Sequence, residues 1–259
     1  MKFVSKINCL VATSACLLMF GTAKAQISVF LSPNDVQSAE ASGLTGISTE
    51  TFNSRPTGTF SSFQSSSLNA TYTAANGTRI IANDQYGGFA LQNYLGVTPN
   101  ASATATLSAP AKYFGFYFTA ADNNNNKIAL YSQNTLVFEF NTSTLLTFLP
   151  RNNTSTITAL SGATYRTIDY FGQPTSNSNS SEPYAYVHFV ASGATSFDRV
   201  VLTQGSAAIF ESDNHSLSAT TPLIPTSLVQ LSGPTLVPEP GTGLLSVLAL
   251  GSMLMRRRR

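Results

Sequence analysis

The chain between residues 26 and 217 is expected to fold as one all-β domain, a single antiparallel β-sandwich. Three observations lead there. The segment is rich in Ser, Thr, Asn, Gly, Phe and Tyr and poor in charge; β-branched and aromatic residues suit a pleated, half-buried surface, while Asn and Gly supply turns. Short strand-like runs recur with turn signals between them. No stretch carries a 3.6-residue apolar period with caps over three turns.

Taken in order, the first element is not part of that domain. Residues 1–25 carry Lys2 and Lys6, an apolar run from Cys9 to Phe20, and Ala23-Lys24-Ala25. This order of basic, apolar and small residues predicts a secretory signal peptide cut after Ala25, with Ala23 and Ala25 as the small residues of the site. The alternative, an uncleaved anchor, suits the run less well because it is shorter than the ~20 residues a bilayer span needs.

Within the domain, "PNDVQSAEASGL" at 33–44 has the residues of one short helix, with Asp35 as its cap. "ATYTA" at 70–74 and "TRIIA" at 78–82 flank Asn76-Gly77, a strong hairpin signal. "KYFGFYFTA" at 112–120 and "KIALYS" at 127–132 flank a polar loop, read as a second hairpin. "TLVFEF" at 135–140 places Leu136, Phe138 and Phe140 on one face, and "AYVHFVA" and "FDRVVLT" at 185–191 and 197–203 complete the set. Residues 218–237, with Pro222, Pro225 and Pro234 among Ser and Thr, read as an extended linker.

The tail from 238 to 259 differs from everything before it. Pro238-Glu239-Pro240 leads into an apolar run at 241–255 and then Arg256, Arg257, Arg258 and Arg259. The run is apolar all round, so it suits a membrane better than a domain surface. It is about 22 Å long as a helix, and the arginines are expected to hold its end cytoplasmic.

Charge and cysteine narrow the functional classes. Seven of the fourteen basic residues lie in the two end segments; residues 26–238 keep seven basic and eleven acidic side chains, so the working protein is mildly acidic. Nothing there suits a phosphate backbone, and no nucleic-acid partner is expected. Both cysteines, Cys9 and Cys16, fall in the signal segment, which leaves no disulfide and no thiol chemistry.

Candidate chemistry is sparse. The two histidines, His188 and His215, are read as structural, because no further ligand stands at zinc spacing. There is no Gly-x-Ser-x-Gly elbow. Glu211 and Asp213 form the one local carboxylate pair; two apart in a strand, they are candidate ligands of a structural calcium, or they face water. In "KYFGFYF", Phe114, Phe116 and Phe118 share the face expected to be buried. Tyr113 and Tyr117 share the other face, which is either a second packed surface, the favoured reading, or a platform for sugar rings.

Two resemblances follow from these residues. Val237-Pro238-Glu239-Pro240, the apolar run and the terminal arginines, together with the signal peptide, resemble the PEP-CTERM sorting signal of bacteria. That resemblance implies recognition by an exosortase near Pro-Glu-Pro, transient retention in the inner membrane, and delivery to the cell surface or the exopolysaccharide matrix of biofilms. "DQYGGFALQNYLGV" at 84–97, the 111–140 stretch and "FDRVVLTQGSAAIFESDNHSLS" at 197–218 are similar to the body of exosortase-dependent surface proteins, and the last of these resembles jelly-roll domains. The implied architecture is a jelly-roll-like sandwich flanked by a cleaved signal peptide and a transmembrane sorting helix. The implied protein is exported, associated with extracellular polysaccharide, a candidate carbohydrate binder, and not an enzyme; the alternative is a secreted hydrolase of glycans or esters.

Overall fold

A computed structural model describes residues 27–235, apart from 85–86, 90–91, 122–125, 175–177 and 207. The predicted signal segment, with Ala23 and Ala25, and the predicted sorting tail, with Pro238 to Pro240, the 241–255 run and the four arginines, lie outside the described residues. Among the described residues no helix is long and apolar enough to cross a membrane.

The strands are β1 (Ile27–Leu31), β2 (Ser48–Glu50), β3 (Gly58–Thr59), β4 (Ser62–Ser65), β5 (Ala70–Ala74), β6 (Arg79–Ile81), β7 (Tyr94–Val97), β8 (Ser102–Ala111) and β9 (Tyr113–Thr119). They continue with β10 (Lys127–Ser132), β11 (Thr135–Asn141), β12 (Thr156–Thr158), β13 (Thr164–Arg166), β14 (Ala185–Ala191), β15 (Phe197–Thr203), β16 (Phe210–Ser218) and β17 (Val229–Thr235). All pairings are antiparallel, so the all-β expectation holds. One sheet runs β17-β1-β14-β9-β16-β7-β6-β3, with β2 also on β16; a second runs β11-β10-β15-β8-β5-β4; β12 and β13 form a small ribbon.

Both turns read as hairpins are crossovers. Asn76 and Gly77 do adopt the left-handed turn, with φ of 52° and 83°. The strands they join part company, however, β5 into the second sheet and β6 into the first. The chain between β9 and β10 likewise passes from the first sheet to the second. A tight hairpin does form at β10–β11, where Ser132 pairs with Thr135 around Gln133, whose φ is 55°.

The two large sheets share one hydrophobic core. Phe114, Phe116 and Phe118 of β9 meet Phe189 of β14, Ile128 and Leu130 of β10, and Val200 and Leu202 of β15, all buried. Phe114 and Phe189 stack with centroids 6.2 Å apart, and Phe116 and Phe118 meet at a tilt of 42° with centroids 5.3 Å apart. Each such side chain contributes about 1.5–3 kcal/mol on burial. Phe138 and Phe140 of β11 join this core as expected, while Leu136 is only half-buried.

The opposite face of the first sheet is covered as well. Tyr113, Tyr117, Tyr184 and Tyr186 pack there with Phe30, Ala39, Leu44 and Leu228. The 33–44 segment that covers them forms turns rather than a helix; Ser42 N–H donates to Ser38 O and Leu44 N–H to Ala39 O. The α-helix that does form, α1 (Thr142–Phe148), depends on its cap, since Asn141 Oδ1 accepts from Thr144 N–H at 2.8 Å.

The linker reading of 218–237 is corrected. Residues 229–235 make β17, an edge strand on β1, and Leu228, Val229 and Leu231 are buried. Pro234 is compatible with this because an edge strand has N–H groups that need no ladder partner.

Candidate functional site

The carboxyl groups gather where β16, β7 and β9 meet on the covered face of the first sheet. Glu211 and Asp213 are two apart in β16 and share that face, as expected. Across the ladder they pair with Thr119 and Tyr117 of β9, and Glu211 also pairs with Gly96 of β7. Tyr94, two residues before Gly96, therefore lies on the same face. Its hydroxyl is 3.0 Å from Asp84 Oδ2 and 3.2 Å from Glu211 Oε1.

A phenol has one proton. It satisfies one carboxylate, and the other contact is a full hydrogen bond only when that second carboxyl is protonated and donates back to the phenol oxygen. The two carboxyl oxygens that share this hydroxyl are at most about 6 Å apart, because both touch one oxygen. Pairs that work on glycosidic bonds stand about 5–9.5 Å apart. Glu211 is nearly buried at 8% exposure, whereas Asp84 is exposed. Burial, with the carboxylates of Glu211 and Asp84, pushes the Tyr94 hydroxyl far above the usual phenol range, so it stays a proton donor.

Two glycines let this geometry form. Gly87 donates its N–H to Asp84 Oδ1 at 2.9 Å, and a Cβ on Gly87 would collide with the Tyr94 ring. Gly88 has φ of +82°, and a Cβ there would strike Gln92 O. The Gly-Gly step is therefore required for close approach of the 84–89 loop to β7.

Asp213 serves a different purpose. Its Oδ2 accepts from Phe89 N–H at 2.8 Å and its Oδ1 from Asn214 N–H at 2.7 Å. It pins the same loop to the sheet. Burial pushes its carboxyl up to about 7, against the two N–H bonds that pull it down. Both oxygens are thus engaged with backbone, and Glu211 reaches Tyr94 instead. Among the described residues no group of three or more acidic or histidine side chains is placed to hold a metal ion, so the candidate calcium of Glu211 and Asp213 has no third ligand of that kind.

The sugar-contact reading of Tyr113 and Tyr117 is also corrected. They are 0% and 1% exposed beneath the covering segment, and no sugar ring reaches them. Packing was the favoured sequence reading, and its cause is visible: β9 has apolar neighbours on both sides. The histidines are buried too, each between a serine and a tyrosine. Ser32 Oγ, His188 and Tyr113 Oη form one such row, and Ser212 Oγ, His215 and Tyr72 Oη the other. Both imidazoles are fully enclosed, with their proton affinity pushed down to about 3 by burial, so they are neutral hydrogen-bond centres.

A separate cleft of about 590 Å³ is lined by Asn34, Asp35, Arg151, Asp169, Phe171 and Gln173 among others.

Comparison with protein-family models and with curated proteins gives no match. Among solved structures, the chain is similar to the catalytic domain of a GH87 alpha-1,3-glucanase variant in complex with tetrasaccharides, at 13% identity and a TM-score of 0.30. The likeness covers 84% of this chain and 31% of that one. The expectation that the chain is not an enzyme stands against this match to a catalytic domain and is not carried further. A similarity at this level assigns no activity, so the chemistry rests on the residues above.

The sequence pointed to Glu211 and Asp213 but not to Asp84 and Tyr94. Asp84 has no carboxylate neighbour in sequence, and the one available signal is the Gly87-Gly88 step, which marks a close backbone approach.

Proposed function

We propose that the mature chain is an exported surface or matrix protein that acts on extracellular polysaccharide, with Asp84 and Glu211 as its carboxyl pair and Tyr94 as the residue that positions them. The observation that carries this reading is the single Tyr94 hydroxyl shared by two carboxyl groups, one exposed and one nearly buried. Export, processing by an exosortase and the jelly-roll-like assignment of the two sheets come from the end segments and the sequence resemblance.

In this reaction the protonated Glu211 gives its proton to the leaving glycosidic oxygen as the bond to the anomeric carbon breaks. Asp84, open to solvent, bonds to that carbon as the nucleophile, and a water then displaces it while Glu211 takes the water's proton. One water is consumed, and both carboxyl groups return to their starting state. Tyr94 keeps both in place through one hydrogen-bonded oxygen.

The test is release of reducing ends from dextran, xylan, laminarin and the polysaccharide of the producing cells' own matrix. Glu211→Gln and Asp84→Asn are each expected to lower the rate at least 100-fold, in line with the usual contribution of a positioned acid or base. No release by the parent protein, or release by both variants at the parent's rate, overturns the catalytic reading. Export has its own check: mass spectrometry of surface material should show loss of residues 1–25 and of the tail beyond Pro-Glu-Pro.

A further inference from the structure

We propose that the cleft of Asn34, Asp35, Arg151, Asp169, Phe171 and Gln173 is a binding subsite for an uncharged polysaccharide, a reading that rests on the glycan-directed function above and names its substrate class. At about 590 Å³ the cleft falls within the range of small-molecule sites, roughly 300–1,000 Å³.

Its walls are held in place from behind. Arg151 Nε–H donates to Ser180 O at 3.1 Å, with its guanidinium carbon 6.0 Å from the Phe171 ring centre. Arg166 grips Asp169 with two hydrogen bonds of 2.6 and 3.0 Å. Gln173 is buried, with its backbone N–H on Ser178 O.

Other groups on the rim are left unused by the protein. Among the described residues, the side chains of Asn34 and Asp35 make no hydrogen bond, and Arg151 uses only Nε. An acceptor, a donor and an amide that does both therefore face the same opening. A hydroxyl also both donates and accepts, so a polyhydroxylated ring can use all three kinds of group at once. Phe171, Ile168 and Pro174 offer an apolar patch for the C–H face of such a ring.

Charge selects among glycans. Asp169 is neutralised by Arg166, and Asp35 balances Arg151. The cleft thus has no surplus positive charge to draw in uronate, sulfate or phosphate groups, and Asp35 repels them. A neutral hexose or pentose polymer is the ligand class that this balance admits.

The experiment is affinity electrophoresis and calorimetry of the purified exported protein, with dextran, xylan and laminarin as neutral probes and alginate as the anionic one. At least one neutral polymer is expected to bind. Asp35→Ala and Arg151→Gln should each weaken that binding tenfold or more without moving the melting temperature, since both residues are at the surface. Glu211→Gln should leave it unchanged. Binding that persists in both cleft variants, tighter binding of alginate, or no retention of any neutral probe overturns the subsite. Absence of hydrolysis by the parent protein, with cleft binding intact, would sink the catalytic reading alone.

Discussion

The Tyr113 hydroxyl and His188 Nδ1 stand 2.9 Å apart in the covered face of the first sheet, and neither has any access to water. The other ring nitrogen of His188 reaches Ser32 Oγ at 2.8 Å, and Ser32 continues to Ser42 Oγ at 2.7 Å in the covering segment. The imidazole is therefore a two-sided connector between the sheet and the chain that lies over it.

Replacing this connector takes one hydrogen bond from each of two buried hydroxyls. His188→Phe is expected to destabilise the protein by about 2–4 kcal/mol, from two lost buried hydrogen bonds and imperfect packing. His215→Phe should behave alike, because it strands Tyr72 Oη and Ser212 Oγ. Urea unfolding followed by tyrosine fluorescence measures both.

The buried titratable groups oppose one another in acid and neutral solution. Each histidine binds a proton less readily when folded, about 3 against 6.5, so its contribution to stability is lost as pH falls from about 6.5 toward 3. Asp213 binds its proton more readily when folded, about 7 against 3.8, so its contribution is lost as pH rises through that interval. Two groups outweigh one below pH 6.5, and melting temperature should climb with pH there and level or decline near 7. Asp213→Asn should steepen the climb between pH 4 and 7 and remove the decline, as melting curves at half-unit steps will register.

Gly87→Ala tests the carboxyl site without touching a carboxyl group. The new methyl group must push the Tyr94 ring away from Asp84 and Glu211. Overpacking of this kind costs about 1–3 kcal/mol. Hydrolysis should fall much further than stability, at least tenfold at a temperature where the variant remains folded, whereas neutral-glycan binding in the Asp35 cleft should persist. Paired rate and binding measurements on one preparation separate the two effects.

Ending the chain after Leu228 removes β17 and bares the edge of β1. Val229 and Leu231 are 3% and 4% exposed, and the burial of two such side chains contributes about 3–6 kcal/mol. For a domain of this size the melting temperature should drop by about 10 °C or more. A chain ended after Thr235 should melt like the parent.

Much of the sheet was legible because it rests on alternation. Phe114, Phe116 and Phe118 face one way and Tyr113 and Tyr117 the other, as a period of two requires. The destination of a turn was not legible: Asn76-Gly77 states its own backbone angles, but which sheet takes β6 depends on pairing with β7 and β3, a non-local outcome. The helix at 142–148 is not legible because Thr and Ser are poor helix formers, and it forms under one Asn141 cap. Asp84 and Tyr94 were invisible as partners of Glu211 because 127 and 117 positions of chain separate them from it. β17 was hidden by its proline, which reads as linker wherever an edge strand is not already known.

That last strand also bears on how the precursor is handled. A free linker from 218 to 237 would be a leash of some 60–70 Å at full extension. With β17 running to Thr235, only residues 236 and 237 separate the sheet edge from Pro238, a slack of about 7 Å. On the sorting reading, the folded body would ride almost against the membrane surface, and a protease cutting at Pro-Glu-Pro would have to work in the shadow of that body or act before β17 closes onto β1. The timing of folding relative to cleavage would then decide how quickly the protein leaves the cell.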